Sequence, residues 1–297
     1  DVASQSATAA AAPVTLIRGA RVFDGERVLP RADVLVRDGR IVAVGARVAA
    51  PAGARVVEGA GRTLLPGLID VHAWGTALEG ALPFGVTTEL DQFTDARFAA
   101  QMRAQQRAPG GAAGRADLYS AGTLVTAPKG HGTEYGLPIP TLRNEVARDS
   151  AQAFVDARIA EGSDWIKIVM EDGHELGMSI ATLDSAAVHA VASAARRRGK
   201  VSVVHITTIA DARRAIGAGG NGLAHLFVDS MPEPGWGRWM RARGAFVIPT
   251  LSVLRGVASD TTTIPGSAAT LLADARLAPW ADDESRQMLA ARFPRRP

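Results

Sequence analysis

The stretch TLLPGLIDVHAWG, residues 63–75, marks the point where the pattern of the chain changes. Before it, short apolar runs alternate with turns, and after it, strand-like and helix-like segments alternate. Within the stretch, GLIDVH (67–72) is predicted to be a buried strand that ends on His72, and Trp74 stands two residues later. A single strand histidine is more often a hydrogen-bonded core residue than a ligand, so its meaning depends on what the other strands carry.

The segment before this stretch, residues 14–64, predicts a small antiparallel β module of the β-sandwich type. VTLIRGARVFDGE forms two strand-like pieces around Gly19, and ADVLVRDGRIVAVG (32–45) alternates apolar and polar residues around an Asp38-Gly39 turn, which is typical of a β-hairpin. VVEG (56–59) adds a further short strand.

Residues 1–13 are rich in alanine and serine, and the chain begins with Asp1. We expect this segment to be disordered. Such a start is typical of a mature terminus after removal of a signal peptide, so we expect a periplasmic or secreted protein.

The segment after the stretch, residues 65–297, predicts a (β/α) barrel domain. The predicted strands are apolar throughout, without alternating polar residues, and alanine-rich helical stretches separate them. This pattern indicates a parallel sheet covered on both sides. The helical stretches include 179–198, 211–216, 236–243 and 267–293, and the predicted strands are 67–72, 85–90, 116–122, 165–170, 201–205, 222–227 and 245–251. An eight-stranded, TIM-like barrel is therefore expected, with its eighth strand not recognisable.

Composition excludes several classes of function. The hydrophobic fraction of 47% and the charged fraction of 21% predict a packed core, and no apolar run is long enough to cross a membrane. The formal net charge is only +3 and no basic stripe is interleaved with aromatics, which argues against a nucleic-acid partner. The chain has no cysteine, so thiolate ligands and a cysteine nucleophile are excluded. PGGAAG (109–114) lacks the context of a dinucleotide fingerprint, and no G-x-S-x-G motif is present.

Polar residues near the ends of four predicted strands are the candidate metal ligands: His72, Lys167, His205 and His225. In a barrel the carboxyl ends of the strands meet at one mouth, where active sites lie. A lysine inside an apolar strand is informative, because a buried unpaired ammonium is costly and such a lysine is usually paired, shifted in pKa or modified. Together the four favour a metal site.

Other residues are predicted at the same mouth. His131 and Tyr135 lie in a glycine-rich loop after the third strand, His174 follows the lysine strand, and all three are candidate substrate-binding residues. His189 lies within a predicted helix and is interpreted as a surface or packing residue.

These pieces, in this order, resemble the amidohydrolase superfamily in its imidazolonepropionase-like and prolidase-like branch. The resemblance rests on GARVFDGE, LLPGLIDVH, FGVTTELDQF, DWIKI, VVHITT and GLAHLF, and it extends over nearly all of residues 14–255. It implies two divalent metals, commonly zinc, held by an H-x-H pair, a carbamylated lysine, two later histidines and an aspartate on strand eight. By residue, it implies that His72, Lys167, His205 and His225 bind metal, with Lys167, His205 and His225 also catalytic. It further implies hydrolysis of amide C–N bonds, in N-acyl amino acids or Xaa-Pro-type dipeptides.

The sequence departs from this pattern at two places. Trp74 stands where the second histidine of the pair is expected, or His72 is that second histidine and the first is missing. No strand eight with its aspartate is recognisable, and Asp260, Asp274, Asp282 and Asp283 are poor substitutes. We therefore expect at most one well-occupied metal and weak or absent hydrolysis.

Two hypotheses follow. One is a metal-dependent hydrolase of impaired activity, with a small-molecule substrate and a homo-oligomeric state. The alternative is a catalytically inactive relative, or a small-molecule-binding protein that uses the same mouth.

Overall fold

The computed structural model describes residues 14–74, 78–108, 110, 111, 114–257, 268–281, 283, 286 and 287. The predicted disorder of residues 1–13 and the poor substitutes Asp260 and Asp282 lie outside these ranges. The chain divides into two compact units, Asp1–Gly67 and Leu68–Pro297.

The first unit is a five-stranded sheet in which β3, β2, β1 and β4 are neighbours and β5 also pairs with β1. Its strands are β1 (Val14–Phe23), β2 (Val28–Arg37), β3 (Arg40–Gly45), β4 (Arg55–Glu58) and β5 (Thr63–Leu64). The first three strands pair antiparallel, as expected, but β4 and β5 run parallel to β1. The prediction of a purely antiparallel module is therefore wrong, because the chain returns to the same edge of β1 without reversing direction.

Two local signals shape this sheet. Asp38 and Gly39 both have positive φ, 52° and 71°, and form the tight turn between β2 and β3 that the Asp-Gly pair predicts. Gly19 does not separate two strands. It lies in a bulge of the continuous strand β1, where its backbone N–H donates to Asp33 Oδ1 at 2.8 Å.

In the described part of the second unit, seven strands all pair in parallel: β6 (Leu68–Ala73), β7 (Val86–Asp91), β8 (Asp117–Ser120), β9 (Ile166–Val169), β10 (Ser202–His205), β11 (Gly222–Ala224) and β12 (Phe246–Ile248). Each lies within or next to a predicted segment. They form a sheet ordered β6-β7-β8 and another ordered β12-β11-β10-β9. A parallel bridge between Val125 and Ile168 connects the segment after β8 to β9. The α/β fold with parallel sheets is thereby confirmed.

The helices are α1 (Leu78–Ala81), α2 (Ala96–Arg107), α3 (Ala147–Ala160), α4 (Ser185–Arg197), α5 (Ile209–Gly217), α6 (Trp236–Ala242), α7 (Leu251–Val257) and α8 (Ala268–Ala273). The helix predicted over 179–198 begins only at Ser185, because the Asp184 carboxylate caps it by accepting from the Ala187 N–H. The stretch predicted as helical over 267–293 is not one helix, since α8 ends at Ala273 and a 3-10 turn follows at Ala278–Trp280. No helix in the described ranges is long and apolar enough to span a membrane.

The main core holds the site-bearing strands in place. All four residues of β9 and of β10 are buried. The helices α3 and α4 pack on this sheet through small and branched side chains, including Ala151, Val155, Val188 and Val191. Because alanines allow close approach of helix to sheet, the strands are covered tightly and the polar groups at their ends are held in fixed positions.

Candidate functional site

The four candidate ligands lie at or near the carboxyl ends of parallel strands in the second unit. His72 is in β6, Lys167 is in β9, His205 ends β10, and His225 follows β11 directly. Lys167 is 2% exposed and His205 is 9% exposed.

The histidines form a continuous row of imidazole rings. The centroid distances are 4.7 Å for His72–His225, 4.5 Å for His205–His225 and 4.7 Å for His131–His205. Three predicted metal ligands are therefore in direct contact. The row also includes His131, which was predicted to bind substrate.

Three imidazoles of this row, those of His72, His205 and His225, are held neutral. Burial lowers the pKa of His72 to about 2 and that of His225 to about 2, and the nearby Lys167 charge acts in the same direction. Burial also lowers the pKa of His205 well below its ordinary value. A neutral imidazole has a free ring nitrogen lone pair, which is the form that binds a metal ion.

The backbone at His225 is strained, and the His225 ring contacts a side-chain partner. Its φ is 72°, and that of Thr250 is 44°, so two non-glycine residues at the site occupy the left-handed region. The Thr250 Oγ1 lies 2.6 Å from His225 Nδ1. This contact orients the ring and leaves Nε2 as its free nitrogen.

Lys167 is a buried lysine whose amine is partly neutral near physiological pH. Burial lowers its pKa from 10.5 to about 7, and the charge of Asp91 opposes that shift. A neutral amine is the form that reacts with carbon dioxide to give a carbamate.

Asp91 is a buried carboxylate that sequence reasoning missed. It ends β7, accepts a hydrogen bond from the Ser120 hydroxyl, and burial raises its pKa to about 7. The signal was available, because an acidic residue ended an otherwise predicted buried strand. The strand predicted over GVTTEL (85–90) ends one residue before it.

Glu171 is the second missed residue. It lies two positions after β9 and is 1% exposed, and burial raises its pKa. Its Oε2 is 2.6 Å from His205 Nε2 and 4.0 Å from His131 Nδ1. Neither approach is aligned as a hydrogen bond, so within the described part of the chain both carboxylate oxygens lack a hydrogen-bond partner.

Ligand atoms of His131, Glu171 and His205 all lie within 4.8 Å of one another, which is close enough for one metal ion. His131 Nδ1 of this group and one further ring nitrogen, His72 Nδ1, are buried and make no hydrogen bond among the described residues. Unpaired buried donor atoms of this kind fit a divalent cation, because a cation accepts the lone pairs that no proton donor satisfies.

Beside the histidine row lies a cluster of three aromatic rings. Trp74 packs edge-on against Tyr135 and Phe93 at centroid distances of 5.3 and 6.2 Å, and Phe93 lies 5.6 Å from Tyr135. Tyr135 also contacts the His131 ring, with its hydroxyl 3.2 Å from Nε2. Trp74 is 50% exposed, so the cluster presents an apolar surface to solvent next to the polar centre.

The remaining predicted residues lie apart from this centre. His174 is exposed in a short 3-10 turn, and none of its recorded contacts reaches the histidine row. His189 is exposed on α4 and its Nδ1 lies 3.0 Å from the Ala218 carbonyl oxygen. Asp274 pairs with Arg276 at the surface.

Solved structures of known proteins share this fold. They include a prolidase complexed with N-methylphosphonate-L-proline (TM-score 0.67, 19% identity, covering 93% of this chain and 72% of that one) and a Xaa-Pro dipeptidase with bound methionine (0.65, 19%, 95% and 74%). The ochratoxinase of A. niger is equally similar (0.66, 18%, 94% and 74%). The chain therefore has the fold of amidohydrolase-superfamily proteins, which confirms the resemblance inferred from sequence at the level of fold.

Sequence comparison gives shorter matches. The chain is 48% identical over 58 residues to a dihydroorotase of Geobacter sulfurreducens, which is 19% of this chain and 14% of that protein. It is 56% identical over 59 residues to a dihydroorotase of Streptomyces coelicolor, 20% of this chain and 12% of that protein. The matched segment thus spans only a small part of these relatives. No protein-family model matches the chain.

Proposed function

We propose that this chain is a metal-dependent amidohydrolase that cleaves amide C–N bonds in N-acyl amino acids or Xaa-Pro-type dipeptides. The observation that carries the proposal is the row of neutral imidazoles from His72, His205 and His225 at the carboxyl ends of parallel strands, beside the buried Lys167. Buried polar groups are costly to retain, and here they converge where this class of fold places its active sites.

The proposed architecture is a (β/α)8-type barrel of residues 65–297 with a β-sandwich-type module of residues 14–64. The proposed cofactor is zinc, held by His72, Lys167, His205 and His225, with Lys167 carbamylated. When bound, a divalent cation lowers the pKa of water and polarises a carbonyl, which is the chemistry that amide hydrolysis requires.

The residues of the chain prepare this chemistry. The depressed pKa values of His72 and His225 keep both rings unprotonated at neutral pH, so protons do not compete for their lone pairs. Thr250 fixes the ring of His225 through the contact at Nδ1. The Lys167 ammonium first loses one proton to solvent, and the neutral amine then combines with carbon dioxide, forming an N–C bond, opening one C=O bond and releasing a second proton. A buried cation is thereby replaced by an anion.

The aromatic cluster supports an apolar group on the substrate. Trp74, Phe93 and Tyr135 surround a surface that suits a proline ring or an apolar acyl chain, and it adjoins the polar centre through His131. We propose His131, Tyr135 and His174 as substrate-binding residues, with His174 acting from the exposed turn after β9. The further proposals are a small-molecule substrate, export to the periplasm or medium, homo-oligomerisation, and neither a nucleic-acid nor a membrane partner.

The test is metal content together with hydrolysis of a panel of N-acyl amino acids and proline dipeptides. We expect purified protein to bind zinc and to hydrolyse at least one compound, and His225→Ala to lose both properties while the exposed His189→Ala retains them. Zinc binding without turnover of any compound would contradict the hydrolase proposal.

That result would favour the alternative, an inactive relative that binds small molecules at the same mouth. The observation in its favour is Trp74, which stands where the second histidine of the pair is expected and whose indole N–H cannot act as a ligand. Saturable binding of a panel compound by calorimetry, without product, would support it.

A further inference from the structure

We propose that Glu134 and Glu171 form a subsite for the free ammonium group of the substrate, beside the aromatic cluster of Trp74, Phe93 and Tyr135. The inference rests on the proposed function and narrows it. Of the two proposed substrate classes, only an unblocked Xaa-Pro-type dipeptide carries an ammonium group, whereas the nitrogen of an N-acyl amino acid is an uncharged amide. The substrate is therefore a dipeptide whose first residue has a free amino group and an apolar side chain.

Glu171 is the buried part of this subsite. Its side chain is 1% exposed, and neither of its carboxylate oxygens has a hydrogen-bond partner in the described part of the chain. A buried carboxylate without donors weakens the fold. An ammonium group has several N–H donors and a positive charge, so it satisfies the oxygens and compensates the charge at once.

Glu134 is the solvent-facing part. Its side chain is 52% exposed and its Oε1 lies 3.0 Å from His131 Nδ1. Its Oε2 accepts from the Gly132 N–H at 2.6 Å, which fixes the carboxylate on the loop. Glu171 Oε2 lies 4.0 Å from the same His131 nitrogen. Both carboxylates therefore border one small volume.

The charge at this volume is negative. No lysine or arginine of the described ranges, including Lys129 on the same loop, forms an ion pair with either glutamate. His131 would offset only one of the two negative charges even when protonated. His205, the other imidazole beside Glu171, is neutral because burial lowers its pKa well below the ordinary value. Excess negative charge favours a ligand with a positive group.

The aromatic cluster adjoins the two carboxylates. The Tyr135 ring lies 5.5 Å from the His131 ring between centroids. Burial raises the pKa of Tyr135 to about 12, and the charges of Glu134 and Glu171 act in the same direction, so both carboxylates are near this ring. Trp74 and Tyr135 are 50% and 41% exposed, which leaves both rings within reach of a ligand. Aromatic rings attract an ammonium group and also pack against apolar side chains.

A dipeptide fits this arrangement because its first residue carries both groups. The ammonium group and the side chain share one Cα, and that Cα is bonded to the carbonyl carbon of the amide that is cleaved. An ammonium group on Glu171 therefore brings this carbonyl to the polar centre, since Glu171 lies beside His205. An N-acyl amino acid would instead place an uncharged acyl chain beside two carboxylates and leave them without a donor.

The experiment compares leucyl-proline with N-acetyl-leucyl-proline, which differ only in the charge of the terminal nitrogen. Calorimetry gives Kd where a compound is not hydrolysed, and proline release gives KM where it is. We expect the wild-type chain to bind leucyl-proline about 10- to 100-fold more tightly, because acetylation removes the hydrogen bonds of a charged group.

Glu134→Gln tests the origin of this preference at an exposed position, and its amide oxygen can still accept from the Gly132 N–H. We expect it to weaken binding of leucyl-proline about tenfold and to change that of N-acetyl-leucyl-proline by less than about threefold. Glu171→Gln should act in the same way, with circular dichroism to confirm folding. Glu145→Gln, an exposed glutamate that pairs with Arg143, is the matched control and should bind both compounds like the wild type.

Three results would overturn the inference: equal or tighter binding of N-acetyl-leucyl-proline by the wild type, binding of neither compound, or a preference that Glu134→Gln leaves unchanged. In each case hydrolysis of an N-acyl amino acid would leave the proposed hydrolase standing. A preference for leucyl-proline that depends on Glu134, without hydrolysis of any compound, would support the ammonium subsite and contradict the hydrolase.

Discussion

Replacing Lys167 by methionine should stabilise the metal-free protein at neutral pH. Lys167 is 2% exposed inside β9, and methionine has nearly the same length and flexibility without the charge. The substitution therefore removes the desolvation of the ammonium while retaining the packing.

The magnitude follows from the pKa of Lys167, which burial lowers from 10.5 to about 7. Each unit of difference corresponds to about 1.36 kcal/mol, so the buried charge costs at most about 5 kcal/mol below both values. Because the pKa in the folded state lies below that in the unfolded state, the unfolded chain binds more protons between the two values. The free energy of unfolding of the wild type should therefore rise with pH across that window.

The assay is urea denaturation of both proteins between about pH 7.5 and about pH 9.5, a range in which the wild type should gain about 2.5 kcal/mol relative to Lys167→Met. Buffers must be free of metal and of carbon dioxide, since a carbamate would remove the charge. Lys129→Met, at an exposed position, is the matched control and should follow the wild type.

Two results would refute this reasoning. If Lys167→Met is no more stable than the wild type at about pH 7.5, the ammonium is compensated by Asp91 or by another partner, and burial does not dominate. If the difference in stability does not change with pH, Lys167 does not titrate in this window.

Three further predictions concern the site and the core. Thr250→Val removes the partner of His225 Nδ1 and should weaken zinc binding by about 10- to 100-fold, measured by chelator competition, and a change below threefold would contradict the orienting role. Trp74→Ala removes the edge-on contact with Tyr135. It should raise KM for apolar substrates by about tenfold with kcat retained, because a binding contact of roughly 1.4 kcal/mol is lost. A fall in kcat alone would argue against a binding role for Trp74. Leu183→Ala, at a fully buried position, should lower the free energy of unfolding by about 2–5 kcal/mol in urea denaturation, and a loss below about 1 kcal/mol would show that the core collapses around the cavity.

The parallel strands of the second unit were predictable because their signals are local. Apolar segments such as those around Lys167 and His205 are bounded by glycine and polar turns, and strand pairing requires no more than that pattern. The direction of β4 and β5 was not predictable in the same way. Both are short, and whether they run with or against β1 depends on the path of the connection rather than on their own residues.

The candidate site was predictable in part, for a related reason. Histidines and lysine stand out inside apolar strands, so His72, Lys167, His205 and His225 could be selected by residue type alone. Glu171 could not, because acidic residues are common after strands and are usually solvated. Only the structure shows that this carboxylate is buried against His205 and His131.

The buried polar groups also bear on what the chain is selected to do. A core that needed only stability would fill the ends of β9 and β10 with apolar side chains, since burial of a charge or an unpaired carboxylate weakens the fold. This chain instead places Lys167, Glu171 and His205 there, and retains left-handed backbone at His225 and Thr250. These features lie at the same place in the fold, and together they bring several lone pairs into a small volume. Strain and desolvation at a single point are typical of a functional site, and a bound cation is the one occupant that would relieve the carboxylate and the imidazoles together.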